Sequence, residues 1–293
     1  MKRAKPQARQ FSAPRGLQWE ISVNALEKWA PSLAASDAPE NTISMLDPIG
    51  ADPWTGDGVT AKRVAGALRS IGADKNVVVN INSPGGDFFE GLAIYELLRE
   101  HKGNVTVKVL GLAASAASLV AMAGDEVLIA RAGFLMIHNT WVFALGNRNE
   151  LRDIADTLEE FDGAALDIYA ARASVEQRAL AKMMDKETWI RGETAVEQGF
   201  ADALLPSDEV KSEPGNAARG DVNAARLIEL AMAKQGVPRS QRVALMTKFK
   251  SGTRDAAGTG TRDAAGAGEY GTPEAAAAVR EYLDFLTQAE ITS

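Results

Sequence analysis

Along the first two thirds of the chain, short β-rich runs alternate with longer stretches in which apolar residues return every three or four positions. Val77 to Asn82 (VVVNIN) predicts a strand buried on both faces, and Phe88 to His101 has apolar residues at helical spacing. Val105 to Leu110 predicts a second strand, and a helix of small residues is expected from Ser115 to Ala123. The runs Glu126 to Ala130 and Gly133 to His138 predict two more strands. From Asn149 to Ala173 the positions Leu151, Ile154, Leu158, Phe161, Ala165, Ile168 and Tyr169 form one apolar stripe. At 3.6 residues per turn that stripe lasts about six turns. A helix of that length is expected to pack against something beyond its own small domain. Trp189 to Leu205 reads as a short helix, a terminal glycine and a last strand. This succession predicts an α/β domain over residues 17–205, with right-handed crossovers onto a largely parallel core.

After Pro206 the pattern changes. SDEVKSEPGNAARG is a polar linker, and helices are expected over Asp221 to Gly236 and Ser240 to Lys250. Between Gly252 and Gly266 the heptapeptide GTRDAAG occurs twice around Thr259, which reads as a flexible tether. Thr272 to Ile291, with Pro273 at its first helical position and Val279, Leu283 and Leu286 on one stripe, reads as a short docking helix. The tail 206–293 is therefore expected to be mostly helical or disordered. Residues 1–16 form a basic arm, with five Lys or Arg and no acid among the first fifteen.

Charge and composition narrow the function. A formal net charge of −7 over 293 residues argues against sequence-independent nucleic-acid binding, which needs a basic face. With no cysteine there is no disulfide framework and no thiol nucleophile. Two histidines and no clustered carboxylates give no metal site, so neither metal nor cofactor is expected. No run approaches a membrane span and no apolar signal segment follows the basic start, so no membrane partner and a cytoplasmic location are expected.

Two motifs carry chemistry. In NINSPGGD, Asn80 to Asp87, paired glycines follow a strand and precede a helix. They serve equally well as a tight turn or as a cradle of free N–H groups for an oxyanion. In GLAASAAS, Gly111 to Ser118, Ser115 stands at the junction of strand and helix. There it either caps the helix or acts as a nucleophile whose following amide, with Gly86 as second donor, stabilises an oxyanion. Ser118 lies one turn inside and is expected to bond back within the helix. Of the two histidines, His101 beside Glu100 and Lys102 reads as a surface residue at a helix end. His138 ends an apolar strand whose neighbours open onto the same crevice, where it either serves as base or is a buried histidine satisfied by backbone groups.

NINSPGGDFFEGLAIYELLR, GLAASAAS, MIHNT and ETAVEQGFADALL, in that order between Ile43 and Leu205, resemble the ClpP-like serine proteases, named for the proteolytic subunit of the Clp protease. Within that family the closest likeness is to phage-type head maturation (prohead) proteases. The resemblance implies a ClpP/crotonase-like spiral of ββα units with a long protruding handle helix, here 149–173, which joins homo-oligomeric rings. It implies Ser115 as nucleophile, His138 as base, and the Gly86 and Ala116 amides as the oxyanion hole. The family's acid stands two residues before an aromatic, which here is Glu187 before Trp189; Asp185 is the alternative. Glutamate can orient the imidazole with its longer side chain. Expected partners are polypeptides, namely capsid or scaffold proteins processed in the host cytoplasm or inside the prohead, and an AAA+ unfoldase if the chain works as a housekeeping Clp-type subunit. A capsid assembly factor with secondary protease activity is a further alternative. Within the same fold, a Ser/Lys dyad would use Lys182 or Lys186, and crotonase-type hydratases would use carboxylates without a Ser–His pair.

Overall fold

The computed structural model describes residues 18–19, 21–30, 33–35, 39–51, 58–206 and 210–212, with scattered positions between 228 and 246. The chain divides into two compact units, Met1–Ala224 and Ala225–Ser293. The basic arm 1–16, the repeat and the terminal helix expected at 272–291 lie outside the described residues.

The first unit begins with β1 (Gln18–Trp19), α1 (Val23–Lys28), β2 (Leu33–Ala35) and β3 (Thr42–Met45). Helix α2 (Ala61–Ile71) then leads to β4 (Val77–Ser83), α3 (Phe88–Glu100), β5 (Val105–Ala114) and α4 (Ala116–Ala121). Three short strands follow, β6 (Glu126–Ile129), β7 (Phe134–Ile137) and β8 (Val142–Phe143), before the long α5 (Arg148–Ala170). The unit closes with α6 (Gln177–Asp185), β9 (Thr188–Arg191), α7 (Gly192–Glu197), β10 (Ala203–Leu204) and β11 (Val210–Ser212).

The α/β expectation holds. The main sheet runs β10–β6–β5–β4–β3 in parallel, and Val77, Val79, Ile81, Val107 and Val109 along its centre are fully buried, as the continuous apolar runs require. Strand β5 extends four residues past the expected Leu110 and changes partners on the way. Thr106 to Val109 pair with β6, and Leu112 to Ala114 pair with β7. Strand β9 is the antiparallel exception, laid along the free side of β7. The chain also stays with this unit past the boundary expected at 205/206, because β11 pairs with β2. In the second unit, helical positions at 228–229, 231–232, 241–242 and 244–246 fall inside the two helices expected there, and buried Arg242 donates to Val237 O at 3.1 Å.

Helix α5 is capped by Asn147 in a capping box with Glu150. Its stripe is buried from Phe161 onward at Ala165, Ile168 and Tyr169, whereas Leu158 is only partly buried against the core, Ile154 is half-buried and Leu151 is 44% exposed. One further correction concerns His101. It is buried at 7% exposure with Nε2 2.7 Å from Lys75 O, because the chain after α3 packs closely on the Lys75 turn.

Past the end of α5, buried Arg172 ties three loops together. Its Nε donates to Phe200 O at 2.8 Å, Nη1 donates to Gly124 O at 2.9 Å, and Nη2 pairs with the Asp202 carboxylate. Arg172→Met keeps the apolar stem but removes the donor to the Phe200 and Gly124 carbonyls, at a cost of about 2–3 kcal/mol. A lowered urea midpoint at unchanged slope is the expected reading.

Candidate active site

The site forms where strand ends converge. In the parallel pairing of β5 with β7, Ala114 sits opposite Met136, and the Ser115 N–H donates to Met136 O at 2.9 Å. Ser115 therefore leaves β5 beside the last residues of β7, and His138 arrives next to it. Ser115 Oγ and His138 Nε2 are 2.6 Å apart. The structure thus brings together the two residues expected as nucleophile and base. At Ser115 the backbone turns sharply, with φ 53° and ψ −125°, before α4 begins at Ala116.

That turn presses against the glycine loop. A Cβ on Gly85 would lie 2.5 Å from Ala114 O and 2.7 Å from Ser115 Cβ, and one on Gly86 would lie 2.0 Å from Ile49 O. Both glycines have positive φ, 89° and 150°. Ile49 clamps the loop, its N–H donating to Gly85 O at 2.8 Å and its carbonyl accepting from Asp87 N at 3.0 Å. The Asp87 side chain then caps α3 through Phe89 N and Glu90 N. Gly86 and Ala116 line the same cavity as Ser115 and His138, and their N–H groups meet no acceptor among the described residues. An amide pair so placed can receive charge developing on a carbonyl oxygen.

Ser118 has a different role. Its hydroxyl donates to Ser115 O at 2.6 Å, so the buried Tyr169 hydroxyl, 2.7 Å away, must donate to Ser118. Burial pushes the Tyr169 phenol up, so it stays protonated and keeps that donor. The chain beyond His138 is fixed by Asp162 on α5, which accepts from Thr140 N at 2.5 Å and Thr140 Oγ1 at 2.7 Å. Burial raises the Asp162 carboxyl and the two Thr140 bonds partly oppose that rise. Sequence reasoning missed Tyr169, Thr140 and Asp162 as supports; a stripe position and two ordinary polar residues carry no local mark.

The two acids separate clearly. Antiparallel pairing ends with Ile137 opposite Thr188, so His138 and Glu187 are the next residues beyond that end of the β7–β9 pair. Glu187 has φ 49°, and its carboxylate accepts from Asn24 Nδ2 at 2.9 Å, Ser22 Oγ at 3.1 Å and Trp189 Nε1 at 3.4 Å. Burial lowers the His138 pKa below its ordinary value, and the Glu187 charge pulls it back up. Asp185, at the end of α6, accepts instead from Asn139 Nδ2 at 3.0 Å and is exposed. Lys182 and Lys186 are exposed, and the nitrogen beside Ser115 Oγ belongs to an imidazole. Among the described residues there is no metal-binding cluster and no helix long and apolar enough to cross a membrane.

The chain matches the family described as Clp protease over residues 57–208. It is 28% identical over 150 residues to the ATP-dependent Clp protease proteolytic subunit of Deinococcus radiodurans, covering 50% of this chain and 72% of that protein. The ATP-dependent Clp protease proteolytic subunit 2 of Treponema denticola is 29% identical over 137 residues, 45% of this chain and 68% of its own. For subunit 1 of Prochlorococcus marinus strain MIT 9312 the figures are 27% over 157 residues, 52% and 80%.

A positive φ on a residue with a Cβ costs about 1–3 kcal/mol. Ser115→Gly should therefore be more stable than Ser115→Ala by about 1 kcal/mol once glycine's greater unfolded-state entropy is subtracted. Paired thermal melts check the difference.

Proposed function

Because the chain belongs to the Clp protease family and is a serine-type endopeptidase, we propose that Ser115 is its nucleophile, His138 its base and Glu187 the acid that orients the base. The observation that carries this reading is the 2.6 Å contact between Ser115 Oγ and His138 Nε2 beside two unengaged amides. His138 takes the hydroxyl proton as Ser115 Oγ attacks the peptide carbonyl, and the Gly86 and Ala116 amides hold the resulting oxyanion. The imidazolium then hands its proton to the leaving amine. Water enters by the same route in reverse, its proton passing to His138 as the acyl-enzyme is released. The β7–β9 register and the charge that Glu187 exerts on His138 favour it over Asp185.

The substrates proposed are capsid or scaffold proteins during phage head maturation. That reading rests on the residues beyond 208, outside the family match, with their twice-occurring GTRDAAG sequence and the apolar positions Val279, Leu283 and Leu286. The competing reading, a Clp-type subunit fed by an AAA+ unfoldase, draws on the names of the relatives, which are ATP-dependent. Incubating the protein with a capsid precursor, or with casein plus an unfoldase and ATP, separates the two by which substrate is cut. The exposed Leu151 on the first turn of α5, with Ile154 half-buried one turn on, suits contact with further copies of the chain in an oligomeric ring.

A fluorophosphonate probe should label the wild type at Ser115 and leave Ser115→Ala unlabelled; equal labelling sinks the assignment. The base works neutral, and its pKa lies below the ordinary imidazole value of 6.5. The acid limb of kcat/KM against pH should therefore fall below that value, with activity lost only as pH drops through the depressed pKa. Glu187→Gln removes the charge that raises it. The limb should move still lower, and kcat/KM should fall by roughly 10³-fold or more. Asp185→Asn should alter neither.

A further inference from the structure

The residues before the sheet lie across the site just described. Strand β1 pairs antiparallel with β8, Gln18 opposite Phe143 and Trp19 opposite Val142. Strand β8 is the first extended segment after His138, so its edge is where a peptide passing over Ser115 would find main-chain partners. The Trp19 ring packs among Phe88, Phe89 and Phe161, with centroids 5.5, 5.5 and 5.8 Å away. It also lines the cavity that holds Ser115, His138, Gly86 and Ala116, and the space left there is about 20 Å³. That is room for about one water and for no amino-acid side chain. A few residues later, Ser22 and Asn24 donate to both oxygens of Glu187, and Lys28 Nζ lies 4.3 Å above the Trp189 ring. One stretch of the chain therefore occupies the edge a substrate needs, fills the space beside the nucleophile and holds the third carboxylate.

We propose that Gln18 and Trp19, anchored through Ser22 and Asn24, stand in for substrate in the cleft, so that the enzyme is self-inhibited until an incoming polypeptide displaces them from β8. The inference rests on the peptidase reading above. Strand β1 has only two residues, so its pairing contributes little by itself, and the Trp19 ring and the Glu187 bonds carry the closure. Such a strap is exchangeable. A peptide offering a longer strand and its own side chain replaces the β8 pairing and the Trp19 contacts together.

The test uses the full chain, which has no native cysteine. Directly opposed residues of an antiparallel pair sit about 4.5–5.5 Å apart at Cα, within disulfide range. The variant Gln18→Cys/Phe143→Cys therefore locks the strap when oxidised and frees it when reduced. Fluorogenic peptide hydrolysis and fluorophosphonate labelling are read on one preparation in both states. Oxidation should suppress both rates, and reduction should restore them. In the unlocked chain, a strap open about a tenth of the time divides kcat/KM by roughly tenfold, so Trp19→Ala should recover up to that factor. Equal rates in the oxidised and reduced forms overturn the strap while leaving Ser115 as nucleophile. A Trp19→Ala chain that the probe does not label, like the wild type, overturns both readings.

Discussion

The hydrogen bond from Ser115 N to Met136 O ties the end of β5 to the body of β7, and the rest of the site is arranged from it. Strand β5 is ten residues long, more than twice the four residues of either neighbour it serves on that side, and it gives its first half to β6 and its second to β7. The switch lets a parallel sheet deliver two chain segments to one point. Ser115 turns off the end of β5 while β7 continues to His138. On the other side of β5, the β4 register ends with Ser83 opposite Ala113, which leaves the glycine pair beside Ser115. Three strand ends thus bring Ser115, His138 and the glycine cradle together without any side chain reaching far. A slip of one residue in β7 would turn the imidazole to the other face of the strand.

Among the described residues, the only ones outside glycine with positive φ are Ser115 and Glu187. Strain of this kind persists where the surroundings over-determine it. At Ser115 the determinants are the Met136 carbonyl, the contact with Gly85, and the chain of hydroxyls from Tyr169 through Ser118 to Ser115 O. Tyr169 lies on the half of α5 that is buried, so the long helix grips the nucleophile's turn from behind. Asp162 on the same half grips the segment after His138 through Thr140. Arg172, just past the helix, fastens this end to the loops at Gly124 and Phe200. The long helix therefore has two parts, a buried one that holds the site rigid and an exposed one that is free to meet another surface.

Much of this was legible in the chain. Paired glycines between a strand and a helix, a serine at the next such junction and a histidine closing an apolar run each mark a backbone position, and backbone positions are what a parallel sheet brings together. The choice between Glu187 and Asp185 was not legible. It depends on β9 running antiparallel to β7 and on a left-handed turn at Glu187, a conformation that glutamate sequence does not announce. His101 misled because its charged neighbours Glu100 and Lys102 describe only the adjacent positions. The carbonyl that receives it, from Lys75, is 26 residues away. Helix α2 also escaped notice. Its stripe of Ala61, Val64, Leu68 and Ile71 does recur at threes and fours, with Val64 and Leu68 buried, but only three of those four side chains are larger than alanine. The β1 strand is shorter than one alternation of the strand period, so no pattern could disclose it.

The Glu187 carboxylate links these features. An ionised carboxylate offers about four lone-pair positions, and Ser22, Asn24 and Trp189 take three of them here. What remains for the imidazole is one position, in an orientation set by the other donors. Before catalysis the half-buried His138 is neutral and the carboxylate is well served by the strap. In the proposed mechanism, attack by Ser115 makes His138 an imidazolium in a poorly solvated place, and the demand on Glu187 rises sharply. Two of the three competing donors belong to the segment whose strand sits in the substrate's place. A polypeptide that displaces Trp19 thereby also loosens Ser22 and Asn24, so filling the cleft and freeing the acid become one equilibrium. By linkage, each then favours the other to the same extent.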